Sequence, residues 1–154
     1  MVDDTQFPAP QTVLLNEAGE EVTLASLQGA VVVLFFYPRD DTSGCTKEAI
    51  AFSALMPAFA DLGVAVFGVS KDSLKSHAKF VAKHDLTVPL LSDAEGTLCE
   101  DLGVWKEKSM YGKTFMGIER STFLIDAEGR IATQWRKVKV PGHADAVLEA
   151  ARAL

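Results

Sequence analysis

Cys45 closes a turn-forming stretch, Pro38-Arg39-Asp40-Asp41-Thr42-Ser43-Gly44, and is followed by Thr46-Lys47-Glu48 and an amphipathic run to Phe59. An apolar run, Val31 to Phe36, leads into the turn. The order is strand, turn, helix, with the cysteine at the turn-to-helix junction. The first turn of a helix carries unpaired N–H groups and a partial positive charge. Both stabilise a thiolate, the reactive form of cysteine, so the first chemistry to weigh is nucleophilic attack by Cys45. Thr42 can turn a hydroxyl toward the same site and either give or accept a hydrogen bond. Gly44 leaves room beside the thiol for close approach. Pro38 fixes the entry to the turn and can shield one side of the sulfur. The competing reading is a buried cysteine near a helix start, with Thr42 and Ser43 as caps.

A dithiol oxidoreductase needs a CxxC pair so that the second thiol resolves a mixed disulfide. This chain has Thr42-Ser43-Gly44-Cys45, a hydroxyl where the first thiol would be. Such a site can attack an oxidant or a disulfide but cannot close a disulfide within the motif. Arg120 immediately precedes the apolar strand Thr122 to Ile125. Two readings of it stand: a surface arginine, or a positive fork that the sheet brings to the Cys45 loop, where it would orient an oxygen-bearing substrate. Glu48, one helical turn after Cys45, either orients Arg120 or is a favourable first-turn acid. Arg39 is a second candidate cation.

These residues need a frame to hold them. The chain has 154 residues, 48% of them apolar, which suits a single domain spanning 1–154 with a real core. A net charge of -6 argues against non-specific nucleic-acid binding. Two cysteines, Cys45 and Cys99, are too few for a disulfide framework. No signal-like N-terminus and no run long enough to cross a membrane is visible, so the expected location is a reducing cytoplasm.

Val31 to Phe36 and Val64 to Val69 read as inner strands, joined through a helix in a βαβ crossover. Sheets of this kind place their sites at the C-terminal end of such a strand, here the loop Pro38 to Gly44. Pro57 predicts a kink or a restart in the connecting helix, and Gly63 its end. Phe7 to Pro10 reads as an extended arm, and residues 12–15 and 21–24 as a hairpin. Leu24 to Leu27 suggests one helical turn. A second helix spans Leu74 to Lys83. Its His77 and His84, about 10 Å apart, are too distant to share a metal and read as surface histidines. Thr87 to Leu91 predicts an edge or strand-start piece because of Pro89. Ser92 to Glu95 has capping-box spacing ahead of a short helix, Thr97 to Leu102. Lys106 to Glu119 is a polar, glycine-bearing insertion without the phosphate-loop pattern. Strands at 121–125 and 131–135 form a hairpin, and a last helix runs from Gly142 to Leu154.

The segment Tyr37-Pro38-Arg39-Asp40-Asp41-Thr42-Ser43-Gly44-Cys45-Thr46-Lys47-Glu48-Ala49 resembles the active-site signature of the peroxiredoxins. In particular it resembles the bacterioferritin-comigratory-protein, or peroxiredoxin Q, branch. Gly117 to Asp126, Leu90 to Asp93 and Tyr111 to Lys113 resemble the same branch. The resemblance implies an α/β, thioredoxin-like fold with a central mixed sheet flanked by helices, and a thiol peroxidase. It implies Cys45 as the peroxidatic cysteine, Thr42 and Arg120 as hydrogen-bond partners of the peroxide oxygens, Pro38 as a shield, and Glu48 as the acid that holds the arginine. It implies a hydroperoxide substrate and a thioredoxin- or glutaredoxin-like protein or a small thiol as reductant. It further implies a monomer, with no metal, haem or flavin, and with no nucleic-acid or membrane partner.

Many members of the branch carry a resolving cysteine where this chain has Ile50, and others resolve from a helix that here holds no cysteine. Cys99 is then the possible resolving residue, and it reads equally well as a small buried apolar side chain. The favoured expectation is one-cysteine chemistry with an external thiol, with a Cys45–Cys99 disulfide as the alternative. Two rivals remain: a thioredoxin-like binding or chaperone domain without activity, and a disulfide exchanger.

Overall fold

A computed structural model describes residues 13–23, 25–27, 29–94 and 96–154. The expected arm at Phe7 to Pro10, together with Thr12, Leu24 and Glu95, lies outside the described residues. The apolar run becomes β3 (Val31–Phe36), and Val32 to Phe36 are all buried. A strand can be apolar at every position only when both its faces are covered. Here β3 pairs parallel with β4 (Val64–Ser70) and antiparallel with β8 (Ser121–Ile125), which makes it an inner strand.

Among the described residues, seven strands form one mixed sheet in the order β2-β1-β5-β4-β3-β8-β9. Its outer members are the hairpin β1 (Val13–Leu15) and β2 (Glu21–Thr23) on one side and β9 (Ile131–Arg136) on the other. The first hairpin turns at Asn16, whose side-chain oxygen accepts from the Ala18 and Glu20 N–H groups. A single 3-10 turn, Ala25–Leu27, follows it.

Alternation along β3 divides the core in two. Val33 and Phe35 point to the face covered by α1 (Ser43–Asp61) and α4 (His143–Arg152), where Phe52, Phe59 and Val147 pack, and where Phe80 of α2 (Leu74–His84) also sits. Val32, Leu34 and Phe36 point to the other face, against Leu98 and Cys99 of α3 (Leu98–Asp101), Leu102 and Val104.

Two expectations change, and two others gain detail. Pro57 causes no restart, because α1 is continuous from Ser43 to Asp61. Proline cannot donate to the carbonyl of Ser53. The Thr87 hydroxyl supplies that bond instead, at 3.1 Å, while the Ser53 hydroxyl accepts from the Thr87 and Val88 N–H groups at 3.1 Å each. Of the two readings of the 87–91 segment, strand-start holds and edge does not. β5 (Leu90–Ser92) lies between β1 and β4, and Pro89 stands just before it, where its missing N–H leaves no gap in the ladder.

Ser92 does not cap the short helix; its hydroxyl donates to the Asp72 carbonyl. The buried Asp93 carboxylate accepts from the Leu98 and Cys99 N–H groups instead. Finally, the insertion at 106–119 is a hairpin of β6 (Trp105–Met110) and β7 (Lys113–Ile118), separate from the main sheet. Its turn, Tyr111-Gly112, has positive φ at both residues, 53° and 77°, as a two-residue hairpin turn requires. Among the described residues no helix is long and apolar enough to cross a membrane.

Candidate active site

Thr42 is the N-cap of α1, so Cys45 lies in its first turn, with its side chain 1% exposed. The register of the sheet brings the second component. Phe36, the last residue of β3, pairs with Ser121, the first of β8. The residue before Ser121 therefore lies beside the loop that follows Phe36. That residue is Arg120. One guanidinium nitrogen, Nη2, donates to Cys45 Sγ at 3.3 Å, and the other, Nη1, donates to Glu48 Oε1 at 2.6 Å. Of the two readings open for Arg120, the partnered one holds.

Gly44 is needed for this approach. A Cβ at that position would lie 3.1 Å from Arg120 Nη2, against a guanidinium already held at both nitrogens. Glu48 is 1% exposed, and its Oε2 has no hydrogen-bond partner among the described residues. Burial pushes its carboxyl up to about 7, opposed by the charge and hydrogen bond of Arg120. Burial works against the charge of Arg120 as well, but Glu48 and Cys45 hold its pKa above the ordinary value. The site is thus a short linear set, carboxylate, guanidinium, sulfur, largely removed from water. An anion on the sulfur would face a fixed cation on one side and the N–H groups of the first helical turn on the other.

The other residues marked by the sequence are placed differently. Thr42 is exposed, and its hydroxyl donates to the Arg39 carbonyl at 3.0 Å. It closes the turn and keeps its lone pairs free to accept. Pro38 and Arg39 stand on the rim of an open cleft of about 320 Å³, together with Lys108, Trp105 and Phe115. Cys99 is fully buried on the opposite face of the sheet from Cys45. Burial and the nearby Asp93 push its thiol pKa far up.

Three further residues are given no role at the site by the sequence. Lys108 reaches in from β6, donating to the Ile118 carbonyl; burial and the charge of Arg120 lower its pKa. The Tyr111-Gly112 turn was the clue that 105–118 forms a hairpin able to carry it there. His143, the first residue of α4, shares a 2.7 Å hydrogen bond with the buried Thr122 hydroxyl. Burial, then Arg120, lowers its pKa to about 4. His77 is the clear correction. Expected on the surface, it is fully buried, because Asp40 and the end of β5 close over it. His84 is partly buried against Asp41.

Fold and site together define a thioredoxin-like, thiol-dependent peroxidase architecture. The sequence model of the AhpC/TSA family matches residues 5–134. The chain is 52% identical to peroxiredoxin Bcp of Xanthomonas campestris over 135 residues, 88% of this chain and 84% of that protein. It is 49% identical to peroxiredoxin Bcp of Bacillus subtilis over 141 residues, 92% and 90% of the two chains. A solved structure of the X. campestris bacterioferritin comigratory protein, described for its alkyl peroxide reduction activity, superposes with a TM-score of 0.86 at 49% identity, over 92% of this chain and 90% of that one. The chain belongs to the AhpC/TSA family, in its Bcp, or peroxiredoxin Q, group.

Proposed function

We propose that this chain reduces hydrogen peroxide and alkyl hydroperoxides through a Cys45 sulfenic acid, with an external thiol as reductant. The Cys45 thiolate attacks the terminal oxygen of the hydroperoxide. The S–O bond forms as the O–O bond breaks, and the leaving oxygen takes a proton to become water or an alcohol. Charge develops on two oxygens next to the sulfur, and a planar fork that already spans Cys45 and Glu48 is suited to meet it. The contact of Arg120 with both residues is the observation that carries this reading. In it the Thr42 oxygen accepts from the O–H of the bound hydroperoxide, Pro38 limits solvent at the thiol, and Glu48 holds the arginine.

The one-cysteine route draws support from the two cores. A disulfide needs Cα atoms within about 7 Å. Cys45 belongs to the cluster under α1 and Cys99 to the cluster under α3, with the sheet between them. A thioredoxin- or glutaredoxin-like protein or a small thiol then attacks the sulfenic sulfur, releasing water and leaving a mixed disulfide that a second thiol resolves.

One equivalent of hydrogen peroxide, followed by thiol blocking and peptide mass analysis, tests both parts. Sulfenic acid at Cys45 with Cys99 still blockable is expected. Equal peroxide consumption by wild type and Cys45→Ser would remove the enzyme reading. A 45–99 cross-linked peptide formed at the rate of turnover would replace the one-cysteine route. Turnover of disulfides but not peroxides would point to an exchanger.

A further inference from the structure

The loop that delivers Cys45 is fastened to α2 by a buried polar cluster. The Asp40 carboxylate accepts from the Tyr37 hydroxyl at 2.6 Å and from the Ser76 hydroxyl at 2.8 Å. The Asp40 N–H donates to Asp72 Oδ2 at 2.8 Å. His77 meets the same carboxylate through Nδ1, at 2.7 Å, and the Leu91 carbonyl through Nε2, at 3.1 Å. One residue on, Asp41 takes a left-handed φ of 59° and is held by Lys83 and His84, each at 2.8 Å. A non-glycine residue in that region needs its surroundings to hold it there.

The partners of His77 settle its protons. A carbonyl only accepts, so Nε2 carries a hydrogen. Were the ring neutral, Nδ1 would then present a lone pair to a carboxylate. With two hydroxyls already donating to that carboxylate, the consistent arrangement is a ring that donates from both nitrogens. Burial opposes the charge, but the hydrogen bond and charge of Asp40, the Leu91 carbonyl and Asp72 outweigh it and raise the His77 pKa. The charged or titratable groups facing the ring are Asp40 and Asp72, with Tyr37 beside it, its ring centre 6.5 Å away.

We propose that His77, doubly protonated between Asp40 and the Leu91 carbonyl, is a positioning residue that holds the 38–42 loop and so sets Cys45 against Arg120. The proposal rests on the reading of Cys45 as the attacking thiol. Loss of the Nδ1 proton turns a donor into a lone pair against the Asp40 carboxylate, which frees the turn that starts α1. Small displacements of reacting groups cost large factors in rate.

Two substitutions separate positioning from mere filling of the core. In His77→Asn the amide nitrogen takes the place of Nδ1 and keeps a donor on Asp40. In His77→Gln it takes the place of Nε2 and serves Leu91 instead. Single-turnover oxidation of Cys45, read as sulfenic acid by mass across pH 6 to 10, is expected to stay near the wild-type rate in the Asn variant. It falls roughly 10- to 100-fold in the Gln variant. The wild type loses rate at alkaline pH as His77 deprotonates, and the Asn variant does not. Equal rates in the two variants, with Cys45 oxidised normally, overturn this proposal alone. A chain that never oxidises at Cys45 overturns the peroxidase reading and this proposal with it. If either variant fails to fold, ¹⁵N spectra of the wild-type ring decide: protonated Nδ1 at pH 7 supports the proposal, and a bare Nδ1 rejects it.

Discussion

Arg120 shows why charge alone is not enough at this site. Its two terminal nitrogens serve two different acceptors at once, the Cys45 sulfur and the Glu48 carboxyl oxygen. A lysine carries the same charge on a single nitrogen and cannot keep both contacts in one plane. Arg120→Lys is therefore expected to leave the fold intact and slow Cys45 oxidation about a hundredfold, the scale seen when one donor to a developing oxyanion is lost. Stopped-flow oxidation at single turnover measures it, and a wild-type rate would show that the fork contributes nothing beyond its charge. The pattern of residues made Cys45 and its neighbours legible because the chemistry is local: turn, glycine, thiol, first helical turn. It left Arg120 undecided. Only the antiparallel pairing of β8 with β3 puts position 120 beside position 45.

Helix α1 carries the thiol at one end and a proline as the fifteenth of its nineteen residues. Proline inside a helix removes one hydrogen bond and strands the carbonyl four residues earlier. In this chain that carbonyl belongs to Ser53, and the Thr87 hydroxyl from the segment before β5 takes it up. The helix thereby stays continuous, and the same contact ties it to the sheet. Thr87→Val keeps the shape and removes the donor. It is expected to lower stability by about 1 kcal/mol, the net worth of an ordinary hydrogen bond, because this pair stays in reach of water. A urea unfolding midpoint unchanged from wild type would show that the proline is tolerated without this bond. Sequence reading saw the proline but not its remedy, because the remedy comes from a residue thirty-four positions away.

Across the whole molecule, two buried titratable groups beside Arg120 pull stability in opposite directions with pH. Glu48 is raised from 4.5 to about 7 in the fold, so the folded state holds its proton more tightly. Its contribution is fully present below pH 4.5 and is lost as pH rises through 7. His143 is lowered from 6.5 to about 4, so the unfolded state binds the proton first. Its contribution is present above pH 6.5 and is lost as pH falls through 4. Between pH 6.5 and 4.5 the two slopes are of similar size and nearly cancel. Glu48→Gln removes one of them. Relative to wild type, that variant is expected to lose roughly 2 kcal/mol more on acidification from pH 6.5 to 4.5, at 1.36 kcal/mol per unit of pKa shift. Urea denaturation at the two pH values checks this, and parallel slopes would mean that Glu48 is not perturbed.

What the sequence determined by itself was everything carried by short-range pattern: the inner strands at 31–36 and 64–69, the helices that flank them, the hairpin at 121–136, and a thiol at a helix start after a turn. Apolar runs, amphipathic periods and turn residues act over a few positions, so they can be read along the chain. Tertiary structure decided which polar side chains meet. His77 looked like a surface residue on a weakly apolar helix until Asp40 and Leu91 closed over it. Cys45 and Cys99 lie in separate core clusters on the two faces of the sheet, a separation that no spacing along the chain shows. Pairings of this kind depend on strand order and on which face each element covers, and those are set by the packing of the whole sheet rather than by the residues next to the group concerned.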